Sequence, residues 1–316
     1  MNSQATAVSK SPINSYILSH LRSLEEQSSH ILQEVRATIP NAGLMFSGGK
    51  DSVCIAHIAR KTFASHDPEQ RTPFTFFHYD SGNNFPEVLD FRDRFIKSLN
   101  ANLIVLSVPM FIKSGFLETR KKEIGNISSL IELINFSVEE YKLNALIGGA
   151  RRDEESARAK ERIFSVRDEF NQWNPKAQRP ELWSIYNTEL ATGQHLRVFP
   201  ISDWTEVEVW QYLISENAAL PSLYFAHERE VFKRDGVWLA YFDDTKLKPG
   251  EKVEVKTVRS RTVGDKETTG FIESEAKTAR EVLEEIKSSK YSERAARADD
   301  KNQGTGMEER KLQGWP

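Results

Sequence analysis

Short apolar runs alternate along the chain with longer segments in which apolar positions recur every three or four residues. The runs at 44–46, 73–79, 103–108 and 143–147 predict buried strands, because they are short and rich in residues that favour strands. The periodic segments between them predict amphipathic helices. Since strands that alternate with helices form parallel sheets covered on both faces, we expect an α/β fold with a doubly wound parallel sheet.

The N-terminal and C-terminal segments lack this alternation of strands and helices. Apolar positions at helical spacing predict N-terminal helices over 13–37, with a candidate break at 28–29. Towards the C-terminus the alternation fades, although a hairpin turn at 235–236 and a helix over 278–287 are favoured. We therefore expect three regions: an N-terminal helical segment (1–39), an α/β domain (40–220) and an irregular, charged C-terminal extension (221–316).

The first predicted strand ends in the sequence Ser-Gly-Gly-Lys-Asp-Ser, at 47–52. Its two glycines allow a positive φ and a close approach of the backbone to a bulky group, while Ser and Asp favour the start of a helix. The N–H groups at such a start bind anions, and Lys50 adds a positive charge. The loop therefore predicts a site for a phosphate chain, although its spacing is not that of the Walker motif. A glycine-rich turn with an exposed lysine is the alternative.

Two other strand ends carry candidate site residues, and in a parallel sheet these ends share one edge with the loop. Asp80 and Ser81 follow the second strand, where they would contact the ribose or adenine of a nucleotide, or form a plain turn. Gly-Gly-Ala-Arg-Arg, at 148–152, follows the fourth strand. Paired arginines favour an oxyanion site there, because guanidinium groups bind phosphate and sulfate through two hydrogen bonds. A solvated charged helix over 154–162 is the alternative.

Composition and charge narrow the classes of function. A net charge of −3 gives no global attraction to nucleic acid or to an anionic membrane, and no apolar run is long enough to predict a transmembrane helix. We expect a soluble cytoplasmic protein. The single cysteine, Cys54, excludes an internal disulfide and a zinc site of several thiolates, and we expect it to be buried. Aromatic residues and prolines in a polar setting predict an exposed binding loop around Trp173 and Trp183.

Taken together, the motifs resemble the small subunit of bacterial sulfate adenylyltransferase, in the phosphoadenylylsulfate reductase-like branch of the PP-loop adenine-nucleotide α-hydrolases. The resemblance is carried by Ser-Gly-Gly-Lys-Asp-Ser at 47–52, Asn-Phe-Pro-Glu at 84–87 and Gly-Gly-Ala-Arg-Arg-Asp-Glu at 148–154. Further matches lie at 200–206, 220–227, 261–264 and 273–276. The resemblance implies that region 40–220 is a PP-loop nucleotide-binding domain.

This resemblance implies that sulfate attacks the α-phosphate of ATP to give adenosine 5′-phosphosulfate and pyrophosphate. It implies Mg²⁺ on the phosphates, no redox cofactor, and a GTPase large subunit as partner; we expect no nucleic-acid or membrane partner. The implied catalytic residues are Lys50, Arg151 and Arg152, the two arginines binding the sulfate or the α-phosphate. Asp51 is a candidate Mg²⁺ ligand, directly or through water. The residues expected to bind ATP are Ser47, Gly48, Gly49, Lys50, Asp51, Ser52, Asp80, Ser81 and Gly149.

One departure from the family and three alternatives complete the expectations. Where the family has Cys-Tyr-Pro after Arg-Thr-Val-Gly, this chain has Asp-Lys-Glu, at 265–267, which predicts a charged, flexible stretch. Related reductases need a redox thiol near the C-terminus and tRNA-thiolating enzymes usually need further cysteines, so the single Cys54 argues against both. An acyl-adenylate ligase, a paralogue that supplies sulfate for sulfation of a metabolite, and a non-catalytic nucleotide sensor stay open. For the large-subunit interface we expect the 173–183 loop or the charged C-terminal region.

Overall fold

A six-stranded sheet forms the centre of the computed structural model, which describes residues 12–64, 72–117 and 127–289. Its strands are β1 (Ala42–Met45), β2 (Thr75–Asp80), β3 (Leu103–Ser107), β4 (Ala145–Ile147), β5 (Phe164–Arg167) and β6 (His195–Val198). They lie in the order β3-β2-β1-β4-β6-β5, and all neighbours are parallel except β5, which is antiparallel to β6. The predicted parallel sheet is confirmed, and β1 lies between β2 and β4.

Helices cover both faces of this sheet, as a doubly wound fold requires. In the described residues they are α1 (Pro12–Thr38), α2 (Lys50–Phe63), α3 (Pro86–Ser98), α4 (Val108–Lys113), α5 (Ile127–Glu140), α6 (Ser156–Ala159), α7 (Glu206–Ser215) and α8 (Ala279–Ser288). The apolar sides of α1, α2, α3 and α7 share one large core with Leu44, Phe76 and Leu196 of the sheet. On the opposite face, Ile134 of α5 forms a smaller cluster with Phe77 and Leu146.

The first helix is continuous where the sequence offered a candidate break. Ser28 lies in the middle of α1 and is buried. Its hydroxyl donates to the carbonyl of Pro200 at 2.8 Å and accepts from the indole N–H of Trp204 at 3.0 Å. A serine that looked like a helix breaker therefore joins α1 to the loop before α7, because its polar group has partners outside the helix.

A small antiparallel barrel stands where we expected an irregular extension. It consists of β7 (His227–Arg234), β8 (Val237–Ala240), β9 (Val253–Ser260) and β10 (Phe271–Glu273). The sequence pattern misses it because the barrel core is small: Val231, Val258 and Phe271 are buried together with Phe85, which precedes α3. The expected hairpin turn is present between β7 and β8, with φ values of 51° at Asp235 and 79° at Gly236.

After the barrel, α8 begins close to the expected position. Thr278 and Glu281 form a capping box there, in which each side chain accepts from the other's backbone N–H. The expectation that the charged tail is mobile or ordered by a partner lies outside the described residues from 290 onwards. The boundaries at 39/40 and 220/221 stay predictions.

Two further sequence expectations concern the membrane and the cysteine. None of the helices in the described ranges is both long and apolar enough to cross a membrane. Cys54 lies on α2, buried and free, as expected. Burial raises the pKa of its thiol well above the ordinary value, which keeps the group protonated and apolar.

Candidate active site

The loop after β1 is closed by its own hydrogen bonds. Gly48 has a φ of 79°, and a Cβ there would lie 2.9 Å from Cγ1 of Val88, so both conformation and space favour glycine. The Ser47 hydroxyl accepts from the backbone N–H of Gly49 at 3.2 Å, and the Ser52 hydroxyl donates to the Gly49 carbonyl at 2.8 Å. The loop therefore presents its backbone in a fixed curve at the N-terminus of α2.

Lys50, the first residue of α2, is buried, with only 1% of its surface exposed. Its Nζ lies 3.1 Å from Oδ2 of Asp51. Its backbone N–H donates to the hydroxyl of Tyr224 at 2.9 Å, and Tyr224 is also buried. The expected alternative of an exposed lysine on a glycine-rich turn is therefore wrong, and the loop is in contact with a residue from the C-terminal region.

Arg151 joins the loop from the end of β4. It is fully buried, and its Nε donates to Oδ1 of Asp51 at 2.8 Å, while its Nη1 lies 3.5 Å from Oδ2 of Asp153. Gly149 makes this approach possible, because a Cβ there would lie 3.0 Å from the Cβ of Asp51. The Asp51 carboxylate thus holds Lys50 and Arg151 on its two oxygens, and the two strand ends meet as predicted.

Arg152 has different partners from its neighbour. Its Nη1 pairs with Oδ1 of Asp203, and its Nη2 lies 3.4 Å from the carbonyl of Glu161. Its side chain is 30% exposed. Arg151 contacts Asp51 of the loop at 47–52, whereas Arg152 pairs with Asp203, so the two adjacent arginines occupy distinct environments.

At the end of β2, Asp80 and Ser81 form a closed turn. Oδ1 of Asp80 accepts from the backbone N–H of Gly82 at 2.8 Å and from the Asn84 side chain at 2.7 Å. The Ser81 hydroxyl donates to Oδ1 of Asp265 at 2.7 Å. The turn is therefore tied to the segment that departs from the family pattern.

That segment, 265–267, is in contact with the β2 turn, and its expected flexibility stays a prediction. Besides the bond from Ser81, the backbone N–H of Lys266 donates to the carbonyl of Asn83 at 2.9 Å, and Asn84 forms an isolated β-bridge with Asp265. The ammonium of Lys266 lies 4.4 Å from the ring centroid of Phe242. Asp265 and Lys266 thus hold this segment against the β2 turn.

Three residues near the site were not identified from the sequence. Besides Tyr224, they are Glu206 at the start of α7 and Arg261 after β9, which form a buried ion pair with Nη2 to Oε2 at 2.7 Å. The backbone N–H of Glu206 donates to Oδ2 of Asp153, which places this pair beside the arginine loop. All three lie inside motifs that carry the family resemblance, which is the sequence signal that could have identified them. Their contacts could not be predicted, because their partners are distant in sequence.

The aromatic loop divides into a buried and an exposed part. Trp173, expected to be exposed, is 1% exposed and forms a β-bridge with Arg167. Trp183 is 86% exposed, as expected. Its exposed apolar neighbours on the same segment are Phe170, Leu182 and Ile185. The exposed apolar surface therefore belongs to Trp183 and these neighbours and not to Trp173.

Comparison with known proteins gives close relatives over nearly the whole chain. The profile of the phosphoadenosine phosphosulfate reductase domain matches residues 41–271. A protein of Streptomyces lavendulae named sulfate adenylyltransferase subunit 2 is 48% identical over 299 residues, which cover 94% of this chain and 92% of that one. A protein of the same name from Mycobacterium bovis is 47% identical over 302 residues, which cover 95% and 96%.

Solved structures give weaker likenesses. The FMN adenylyltransferase of Candida glabrata in complex with ATP has a TM-score of 0.47 at 14% identity, with 78% of this chain and 72% of that one covered. The phosphoadenylyl-sulfate reductase of Candida auris has a TM-score of 0.42 at 16% identity, with 69% and 93% covered. The assignment rests instead on the matched domain and the sequence relatives. On that basis this chain belongs to the phosphoadenosine phosphosulfate reductase domain family and, within it, to the sulfate adenylyltransferase subunit 2 family.

Proposed function

We propose that this chain is the catalytic subunit of a sulfate adenylyltransferase. A sulfate oxygen attacks the α-phosphorus of ATP, the bond from that phosphorus to the oxygen of the β-phosphate breaks, and adenosine 5′-phosphosulfate and pyrophosphate form. Relatives of that name, 46–48% identical, support the reaction. The observation that carries the site assignment is the Asp51 carboxylate, which holds Lys50 and Arg151 together where two strand ends meet.

The loop at 47–52 is the proposed cradle for the leaving pyrophosphate. Backbone N–H groups and the helix dipole stabilise negative charge at the start of α2. Gly48 and Gly49 let a phosphate approach the backbone closely. The Lys50 ammonium lies at the same helix end, where it would neutralise the charge that builds on the β-phosphate as the bond breaks. Because such a transfer depends on positioning and charge neutralisation, it needs no protein nucleophile.

Arg151 and Arg152 are the proposed ligands of the sulfate or α-phosphate oxygens. Asp51 fixes the orientation of Arg151 through Nε. Arg152 is paired with Asp203, so its use requires the substrate anion to replace that carboxylate. We assign the nucleoside of ATP to the turn at 80–81 beside the loop. Gly149 is a proposed ATP-binding residue because it has no side chain to fill the space beside Asp51.

We propose that ATP enters as its Mg²⁺ complex and that Asp51 contacts the ion through water. Among the residues that the structure describes, no three His, Cys, Asp or Glu side chains are grouped to hold a metal ion, so phosphate oxygens would supply most ligands. Both Asp51 oxygens already accept from Lys50 and Arg151, but each keeps a second lone pair. This fits a water-mediated contact better than a direct one. When bound, the ion would neutralise phosphate charge.

A GTPase large subunit is the proposed partner, and the cytoplasm the proposed location. The name of the relatives, subunit 2, supports an enzyme of more than one kind of subunit. We assign the contact to the exposed apolar side chains around Trp183, since an aromatic residue exposed to this degree favours a protein interface.

The experiment that tests the function is pyrophosphate release from ATP, with and without sulfate, by the chain alone and with the large subunit of the same organism plus GTP. Sulfate-dependent release that the large subunit increases is the expected result. Lys50→Ala should abolish the release, whereas Lys97→Ala, an exposed lysine in the last turn of α3, should leave it unchanged. Release that ignores sulfate, or equal rates for both variants, would contradict the proposal.

A further inference from the structure

The face of the sheet away from α2 carries polar side chains in the middle of two strands. Arg197 of β6 pairs in register with Ser165 of β5, and His195 pairs with Arg167. Their neighbours along the strands, including Leu196 and Val198, belong to the large core beneath α1 and α2. Because successive side chains alternate between faces, these four polar residues share the opposite face.

This polar cluster is buried and carries a net positive charge. Arg197 and Arg167 are fully buried and His195 nearly so. Arg167 donates through Nη2 to Oε1 of Glu161 at 2.6 Å and through Nη1 to the Ser165 hydroxyl at 2.7 Å. Two guanidinium groups therefore face one carboxylate, which leaves one positive charge without a balancing negative charge in the cluster.

The surplus charge lies at Arg197. Within the described residues, none of its three guanidinium nitrogens has a hydrogen-bond partner, and neither ring nitrogen of His195 has one. Burial, and then the charge of Arg167, lower the pKa of Arg197 to about 9. Burial, followed by Arg197 and Arg167, lowers the pKa of His195 to about 2, so its imidazole is neutral at pH 7. Buried donors without partners are unfavourable, and an anion that accepts from them would also balance the surplus positive charge.

The cluster lies just below the strand ends that form the candidate active site. Arg197 pairs in register with Leu146 of β4, and two residues further on the backbone N–H of Gly148 donates to the carbonyl of Val198 at 2.8 Å. Gly148 opens the segment that contains Arg151.

We propose that the sulfate substrate binds at Arg197, with His195 and Arg167, beneath the ATP loops, where the unpartnered nitrogens of Arg197 and His195 would contact it; this inference rests on the proposed function. Sulfate fits because it is unprotonated at neutral pH and accepts hydrogen bonds at every oxygen, and a guanidinium offers donors only. Its two negative charges would more than balance the surplus charge at Arg197. This site then holds the nucleophile, while Lys50 and the arginine pair Arg151 and Arg152 hold the phosphates, so the α-phosphate is the anion assigned to that pair.

The first test measures the steady-state kinetics of sulfate-dependent pyrophosphate release in Arg197→Met and Arg197→Lys. Arg94→Met is the control, because the Arg94 side chain lies on α3 and is 72% exposed. We expect the KM for sulfate to rise about 10- to 100-fold in Arg197→Met, with the KM for ATP nearly unchanged. Arg197→Lys keeps the charge but loses the paired donors of the guanidinium group, so its KM for sulfate should be intermediate. Arg94→Met should match the wild type. An unchanged KM for sulfate in both Arg197 variants would overturn the inference.

The second test separates binding from a structural role. In chloride buffer without sulfate, Arg197→Met should melt at or above the wild-type temperature, because it removes an unbalanced buried charge. Sulfate should raise the melting temperature of the wild type but not of Arg197→Met. A destabilised Arg197→Met that still responds to sulfate like the wild type would overturn the inference. Absence of sulfate-dependent pyrophosphate release in the wild type would instead refute the proposed function.

Discussion

Asp51→Asn is the most informative single substitution, because it removes one charge and keeps the shape of the side chain. The Asp51 carboxylate lies 2.8 Å from Nε of Arg151 and 3.1 Å from Nζ of Lys50, and both cations are buried. Without that charge, the two cations repel each other at the start of α2. We therefore expect a loss of stability and a loss of the geometry that positions the phosphates.

The size of the effect follows from burial. Removing one partner of a buried ion pair costs about 3–5 kcal/mol of unfolding free energy. The Asp51 side chain is 25% exposed, so water compensates part of this, and we expect a loss of about 2–3 kcal/mol. Misplacement of the two cations should lower kcat by about 100- to 1000-fold.

Urea denaturation and pyrophosphate release measure the two effects separately. ATP should stabilise Asp51→Asn more than the wild type, because its phosphates restore negative charge beside Lys50 and Arg151. Asp90→Asn is the matched control: Asp90 is 66% exposed and pairs with Arg94 on α3, so its loss should change stability by less than about 0.5 kcal/mol. If Asp51→Asn kept wild-type stability and kcat, Asp51 would not organise the site.

Three further predictions test other parts of the structure. Gly149→Ala should push its new Cβ against Asp51, at 3.0 Å, and lower kcat by about 100-fold while the secondary structure stays intact by circular dichroism. Burial lowers the pKa of His78 from 6.5 to about 4, so stability is full above pH 6.5 and falls as the pH drops towards 4; between pH 7 and 5 the loss should be about 2 kcal/mol smaller in His78→Phe than in the wild type, by urea denaturation. Trp183→Ala should weaken binding to the large subunit by about tenfold or more in calorimetry, with unchanged melting temperature, and full affinity would reject the assigned interface.

The parallel sheet and the loop after β1 could be predicted because their signals are local. An apolar run, two glycines and a change to helical spacing lie within about twenty residues, and the physics of strand ends brings the loop at 148–152 to the same edge. The sequence also identified Asp51, as a candidate metal ligand and as one of the residues expected to bind ATP. Its role between Lys50 and Arg151 depends on distances that no spacing reveals.

The barrel and the polar network around it could not be predicted, because their partners are far apart along the chain. The two long strands of the barrel, β7 and β9, are rich in charged residues, and the barrel core includes Phe85 and Leu223 from outside the barrel. The expected exposure of Trp173 is wrong for a different reason: the polar residues around it suggest a surface loop, whereas its backbone bridges to Arg167 and its side chain is buried. Hydrophobic periodicity indicates which face of an element is apolar, but it does not indicate which residues that face contacts in the folded protein.

The bond between the backbone of Lys50 and the hydroxyl of Tyr224 has a consequence for how the protein is made. It spans 174 residues, and the bond from Ser81 to Asp265 spans 184. On the ribosome, the ATP loop emerges long before the segments that complete its surroundings. We therefore expect a nascent chain, or a fragment that stops before residue 224, to fold much of its sheet without forming a finished nucleotide site. Synthesis itself would then delay ATP consumption until the C-terminal barrel is in place.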